Sequence, residues 1–116
     1  MSMQKDGETK VASTRGTSGL INDPLQKDTE ADVSAYAESK GCLHIHLNII
    51  GRRGWPDHLY IYHGRVMFIE YKRPGEKPGK LQDYIHRRIM SHGIRVTLVY
   101  DFVQGCNCID FFVGKT

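Results

Sequence analysis

From Leu43 to Leu47 apolar and polar residues alternate one for one, Leu-His-Ile-His-Leu, the period of two expected of a half-buried strand. Just upstream the period lengthens. Val33, Tyr36 and Ala37, with the stem of Lys40, share one helical face, which predicts a helix over residues 30–40, with Asp28 or Thr29 as its cap and Gly41 as its stop. Beyond the Gly51-Arg52-Arg53-Gly54 loop, the runs Leu59 to Tyr62 and Val66 to Tyr71 flank His63-Gly64-Arg65 and predict a β-hairpin. Pro74, Gly75, Pro78 and Gly79 make residues 72–79 a loop. Leu81, Ile85 and Ile89 keep helical spacing over residues 80–92, ahead of Gly93. The β-branched run 94–100 predicts a strand, and Cys108 to Val113 another. Helix, three strands, helix, two strands is the order of an α/β protein, a mixed central sheet flanked by helices.

Residues 1–24 show no apolar period, are rich in Gly, Ser, Thr and charge, and end in Asn22-Asp23-Pro24. They are expected to form a flexible arm, leaving residues 25–116 as a single domain. A chain of 116 residues is too short for a site between two lobes. No apolar run approaches the ~18 residues of a membrane span, and the N-terminus lacks the layout of an export signal, so a cytoplasmic protein is expected. Three cysteines, Cys42, Cys106 and Cys108, are an odd number, and without export a disulfide framework is not expected.

The formal charge of +3 is unevenly spread. Residues 1–28 balance Lys5, Lys10, Arg15 and Lys27 against Asp6, Glu8, Asp23 and Asp28. Between Gly51 and Arg88, nine basic residues face four acidic ones, nine minus four giving a local +5. Such a surface suits a partner with many phosphates, although a basic stretch on its own is more often a solvated face.

Asp57 precedes one hairpin strand, while Glu70 and Lys72, two apart, end its neighbour and point to one side. Two carboxylates on adjoining strand ends, with the Tyr71 carbonyl between them, can hold one hard divalent cation. A lysine beside that ion completes a plausible catalytic set: the metal lowers the pKa of a bound water, and the ammonium orients the nucleophile or offsets charge developing on a phosphate. Each residue alone would be an ordinary surface ion pair.

These residues carry a resemblance. Pro56-Asp57, with Glu70-Tyr71-Lys72 thirteen positions on, resembles the PD-(D/E)xK nuclease signature. The arrangement from about Thr29 to Tyr100 is closer still to the virus-type replication-repair nuclease family, VRR-Nuc, and to its small stand-alone phage members. The matching features are the first helix and Gly41, Gly51-Arg52-Arg53-Gly54 before Pro56-Asp57, Pro74-Gly75 after Lys72, and Gln82 in the next helix. The resemblance implies a restriction-endonuclease-like fold and a metal-dependent DNA phosphodiesterase using Mg²⁺ or Mn²⁺. Asp57, Glu70 and the Tyr71 carbonyl would be ligands, Lys72 catalytic, and Gln82 close to the scissile phosphate. It also implies a branched DNA substrate such as a Holliday junction, and a homodimer with two sites. A glutamate on the first helix belongs to the set: Glu30 is taken for it, with Glu38 as the alternative. Many family members carry that glutamate about one turn earlier, where this chain has Gln26, and a lysine where this chain has His46, so that any charge at His46 depends on pH. The expected DNA contacts are Arg52, Arg53, Arg73, Lys77, Lys80 and His46. A module that binds junctions or single strands without cutting is the competing reading. Against it stand Asp57, Glu70, Lys72 and Gln82 together, and the sequence does not separate DNA from RNA.

Three other signals are set aside. Gly75-Glu76-Lys77-Pro78-Gly79-Lys80 has three residues between its glycines and Leu81 after the lysine, so it is not a phosphate-binding loop, and no nucleotide cofactor is expected. His44, His46, Cys106 and Cys108 match no familiar zinc spacing. Trp55 and Tyr60 could stack on an unpaired base, but aromatics at a strand start are more often core.

Overall fold

A computed structural model of the chain describes residues 24–114. The arm expected over residues 1–24 therefore lies outside the described residues, apart from Pro24. The elements are α1 (Pro24–Ser39), β1 (Leu43–His46), β2 (His58–Tyr62), β3 (Arg65–Tyr71), α2 (Lys80–Ser91), β4 (Arg95–Val99) and α3 (Phe102–Phe112). They build the mixed α/β architecture, a sheet of order β1-β2-β3-β4 in which the first three strands are antiparallel and β4 runs parallel to β3. A parallel neighbour cannot be reached through a tight turn, and α2 is the crossover that reaches it. No helix among the described residues is long and apolar enough to cross a membrane.

Two boundaries differ from expectation. Helix α1 begins at Pro24, because a proline fits the first helical turn, where its missing N–H has no partner to lose. Asp28 and Thr29 consequently lie within the helix and are not its cap. The stop is where the sequence puts it: Gly41 takes φ +98°, and the Cys42 N–H reaches back to the Ala37 carbonyl at 3.0 Å.

The second difference is larger. Cys108 to Val113 is no strand, since α3 begins earlier, where the Asp101 carboxylate accepts from the Gln104 N–H at 2.8 Å and caps it. Gly105, Ile109 and Phe112 then fall on one buried face at helical spacing. An apolar run of six residues cannot display that spacing by itself.

Helices α1 and α3 cover one face of the sheet. There Val33 and Ala37 meet Tyr60, Met67, Ile69, Tyr71 and Val99 from the strands, and Ile109 and Phe112 from α3. The two helices approach closely at Gly105, where a Cβ would come within 2.3 Å of Val33 Cγ2. The opposite face is open. Register pairs Leu43 with Ile61, Ile45 with Leu59, Leu59 with Phe68 and Ile61 with Val66, so six apolar side chains lie together there. Leu43 is 63% exposed and Ile45 42%, and the rest are half-buried. Strand β1 thus turns its histidines, and not its aliphatics, toward the helices. The reason is a polar seam inside: His44 Nε2 lies 3.3 Å from Ser34 Oγ, which is 3.0 Å from Tyr60 Oη, itself 2.7 Å from Tyr71 Oη. Buried polar groups need such partners, and the histidines supply them.

Because Gly105 is the contact point of α1 and α3, Gly105→Ala should force the helices apart and lower the unfolding free energy by about 1–3 kcal/mol. Urea denaturation of both proteins measures this, and equal midpoints would contradict the packing described.

Candidate active site

Register brings the acidic pair together. His58 pairs with Ile69, so one more antiparallel step sets Asp57 opposite Glu70. The β1 edge holds Asp57 from the other side, through the Leu47 N–H to the Asp57 carbonyl at 2.7 Å. Lys72 lies two positions beyond Glu70 and is tied to the sheet through its N–H to the Val99 carbonyl, 3.0 Å. Its side chain is only 9% exposed, and an ammonium withdrawn from water needs partners. Lys72 Nζ donates to Gln82 Oε1 at 2.8 Å and lies 3.8 Å from Glu70 Oε2. The other end of the same amide, Gln82 Nε2, donates to Glu70 Oε2 at 3.3 Å, and the Gly79 N–H also reaches Gln82 Oε1 at 3.2 Å. One glutamine in the first turn of α2 therefore fixes both Lys72 and Glu70.

Helix α1 supplies the opposite wall. Gln26 Nε2 lies 3.3 Å from both the Tyr71 carbonyl and Glu30 Oε2. Glu30 Oε1 is 3.2 Å from His58 Nε2, and the other nitrogen of that ring is 2.9 Å from His44 Nε2. Of the two helix glutamates, Glu30 is the one at the site, while Glu38, two turns on, is exposed. The early start of α1 is what brings Gln26 within reach.

The charges are unbalanced. Burial, reinforced by the Asp57 and Glu30 charges and only partly opposed by Lys72 and His58, pushes the Glu70 carboxyl up to about 7. Burial also acts to raise Glu30, but its hydrogen bonds to His58 and Gln26 outweigh it and leave the carboxyl below the ordinary range. His44 is held down to about 4, chiefly by burial, and stays neutral. His86, depressed by burial and by Lys72, has its Nε2 buried without a hydrogen-bond partner among the described residues, 3.8 Å from Glu70 Oε1. Such an orphan calls for a polar partner at that spot.

The residues present fit a hard divalent cation. Two carboxylates and a backbone carbonyl are the oxygen donors such an ion takes, and a cation would relieve the repulsion that raises Glu70. The expected basic contacts are all exposed. Arg52 and Arg53 lie on the loop before Asp57, and Arg73, Lys77 and Lys80 on or at the end of the loop after Lys72. The first loop meets the first turn of α2 where Gly54, at φ +84°, packs against Leu81. His46 is exposed too, with Nε2 3.4 Å from Asp57 Oδ2 and its ring stacked on His58.

Sequence reasoning passed over three residues. Gln26 registered only as a missing glutamate. His58 adjoins Asp57, and His86 follows Gln82 by one helical turn; that spacing is the signal that could have found it. The histidine–cysteine arrangement dissolves: Cys108 Sγ faces Met67 Sδ at 3.5 Å. Among the described residues, it is His46, Asp57 and His58 whose donor atoms lie within 4.8 Å of one another.

Comparisons with known proteins bear on the fold and the class of protein. No protein-family model matches the chain. A solved structure described as a VRR_NUC domain superposes with a TM-score of 0.70 and 29% identity, over 76% of this chain and 97% of that one. A protein of Acyrthosiphon pisum secondary endosymbiont phage 1 described as a nuclease, p44, is 42% identical over 50 residues, 42% of this chain. The matched stretch spans about half of that protein, 54% of its length.

The raised Glu70 has a consequence for stability. A carboxyl at about 7 in the folded chain and near its ordinary value when unfolded costs nothing at low pH, and the cost grows as pH rises from the unfolded value through 7. In EDTA, the melting temperature should therefore gain a Glu70-dependent fall between pH 5 and 8, which Glu70→Gln removes. Parallel pH profiles of the two proteins would contradict the burial of this charge.

Proposed function

We propose that the chain is a VRR-Nuc-type nuclease domain of the phage kind, a metal-dependent DNA endonuclease acting on branched DNA. The observation that carries the reading is the meeting of Asp57 and Glu70 beside the Lys72–Gln82 pair, with Glu70 pushed up to about 7. Asp57, Glu70 and the Tyr71 carbonyl would hold Mg²⁺ or Mn²⁺, which when bound supplies a Lewis acid and lowers the pKa of a water. The protein's own groups do the rest. Lys72, its ammonium fixed by Gln82, presents charge to the scissile phosphate without having to reorganise. Gln82 keeps Lys72 from collapsing onto Glu70, because each end of its amide occupies one of them. Glu30 stays ionised and accepts from Gln26, whose amide also reaches the Tyr71 carbonyl. Arg52 and Arg53 on one loop, Arg73, Lys77 and Lys80 on the other, and His46 beside Asp57 are placed to take backbone phosphates.

A second copy of the chain belongs to the proposal. One domain of this size has little surface with which to grip DNA, since specific interfaces bury about 1,000–2,500 Å² of protein. The open sheet face carrying Leu43, Ile45, Leu59, Ile61, Val66 and Phe68 supports pairing, because exposed apolar patches of this kind mark association surfaces. A two-fold pair presents two sites, which suits the two strands of a junction cut in the host cytoplasm.

Labelled four-way junctions, forks, flaps and plain duplex, each incubated with Mg²⁺, Mn²⁺ or EDTA, test the reading. Cleavage should require the ion and favour the branched forms. Asp57→Ala and Glu70→Ala should each abolish it while DNA binding persists, and more than a few per cent of remaining activity in either would sink the assignment. Lys72→Ala should lose about 10²- to 10³-fold in the chemical step. Light scattering at micromolar concentration should give twice the 13.2 kDa chain mass, and Leu43→Glu with Phe68→Glu should return it to one.

A further inference from the structure

Beyond the carboxylates, on the flank where helix α2 meets the Gly51–Gly54 loop, lies a second feature. A hollow of about 340 Å³ has Ile85 and Ile89 in its lining, together with Trp55 and Tyr84 and the guanidinium groups of Arg52 and Arg88. Among the described residues no acidic side chain lines it. Tyr84 is 54% exposed, and Trp55, read from sequence as core alongside Tyr60, separates from it: Tyr60 is wholly buried, while Trp55 sits half-buried at this surface. Each arginine stands over an aromatic ring, Arg52 at 5.8 Å from Trp55 and Arg88 at 6.0 Å from Tyr84, and Arg88 Nη1 also donates to Tyr84 Oη at 3.1 Å. The loop cannot drift from the helix, because Gly54 packs so closely on Leu81 that a Cβ would lie 2.8 Å from Leu81 Cγ.

We propose that this hollow is a stacking site for an unpaired DNA base next to the cleaved phosphate. A nucleobase offers an apolar face and is flanked by phosphates, and here two aromatic rings lie beside two cations with no anion to repel them. The location suits it. Trp55 precedes Asp57 by two residues and Tyr84 follows Gln82 by two, so the loop and the helix that build the acidic site also carry the hollow, on an adjoining flank of α2. A paired base keeps its faces inside the duplex and cannot enter. The site thus favours branched or frayed DNA over plain duplex, which gives the proposed preference for branches a physical source. The identity of the ligand as DNA rests on the nuclease reading.

Trp55 is the chain's single tryptophan, so its fluorescence reports on this hollow alone. The experiment titrates full-length Glu70→Gln protein in Ca²⁺ with oligothymidine and with blunt duplex, following tryptophan emission and, separately, the anisotropy of labelled DNA. Oligothymidine should quench the emission and duplex should not. Adding Tyr84→Ala should weaken oligothymidine binding about tenfold or more, and Tyr84→Phe should keep it, because the ring and not the hydroxyl stacks. Tyr84 is an exposed helix position, so these variants fold. DNA binding that leaves the emission unchanged, or a Tyr84→Ala affinity within twofold of the parent, overturns the stacking site while leaving the nuclease reading intact. No binding of any DNA overturns both.

Discussion

A carboxylate that burial drives toward neutrality, kept at the end of a strand by a single glutamine, is the constraint around which this domain is arranged. Burial withdraws most of Glu70 from water, and its neighbours Asp57 and Glu30 repel it. What holds it is the Gln82 amide, which also bonds Lys72, so the ammonium and the carboxylate are kept apart at a fixed 3.8 Å. That clamp explains the placement of α2, whose first turn must lie over the end of β3. The Gly54 contact on Leu81 follows, because the loop that delivers Asp57 has to close against the same turn. On the far side, Gln26 reaches the Tyr71 carbonyl only because α1 starts as early as Pro24. A buried carboxylate of this kind costs stability, a trade that is common at functional sites.

The two faces of the sheet divide the remaining work. One is sealed by α1 and α3, and its polar seam through Ser34, Tyr60 and Tyr71 ends at His44 and His58, which carry the rigidity of the core up to Glu30. The other is apolar, covered by α2 along β4 and open over β1.

Much of this was legible in the residues. The hairpin, both of the first two helices and the convergence of Asp57, Glu70 and Lys72 follow from alternation, glycine placement and the two-residue strand period, all local rules. What was not legible depends on the tertiary structure. The helix at Phe102–Phe112 was hidden because its C-terminal half is β-branched and aromatic, and only burial against Val33 at Gly105 decides the matter. Strand β1 alternates cleanly, yet alternation does not tell which set faces the core, and the hydrogen-bonding needs of the interior chose the histidines. Gln26 was invisible as a participant because its partner is a backbone carbonyl 45 residues away. Trp55 was assigned to the core on residue type, whereas the loop geometry set by Gly54 leaves it beside Tyr84 at the surface.

On the proposed reading, Asp57, Glu70 and the Tyr71 carbonyl together receive the catalytic cation. Crystals grown with Mn²⁺ and measured at the manganese absorption edge test it most directly. The account predicts an anomalous peak within bonding distance, about 2.0–2.3 Å, of one oxygen from each of those three groups, lost in Glu70→Gln crystals. A peak bonded elsewhere, or one that survives Glu70→Gln unchanged, would contradict it.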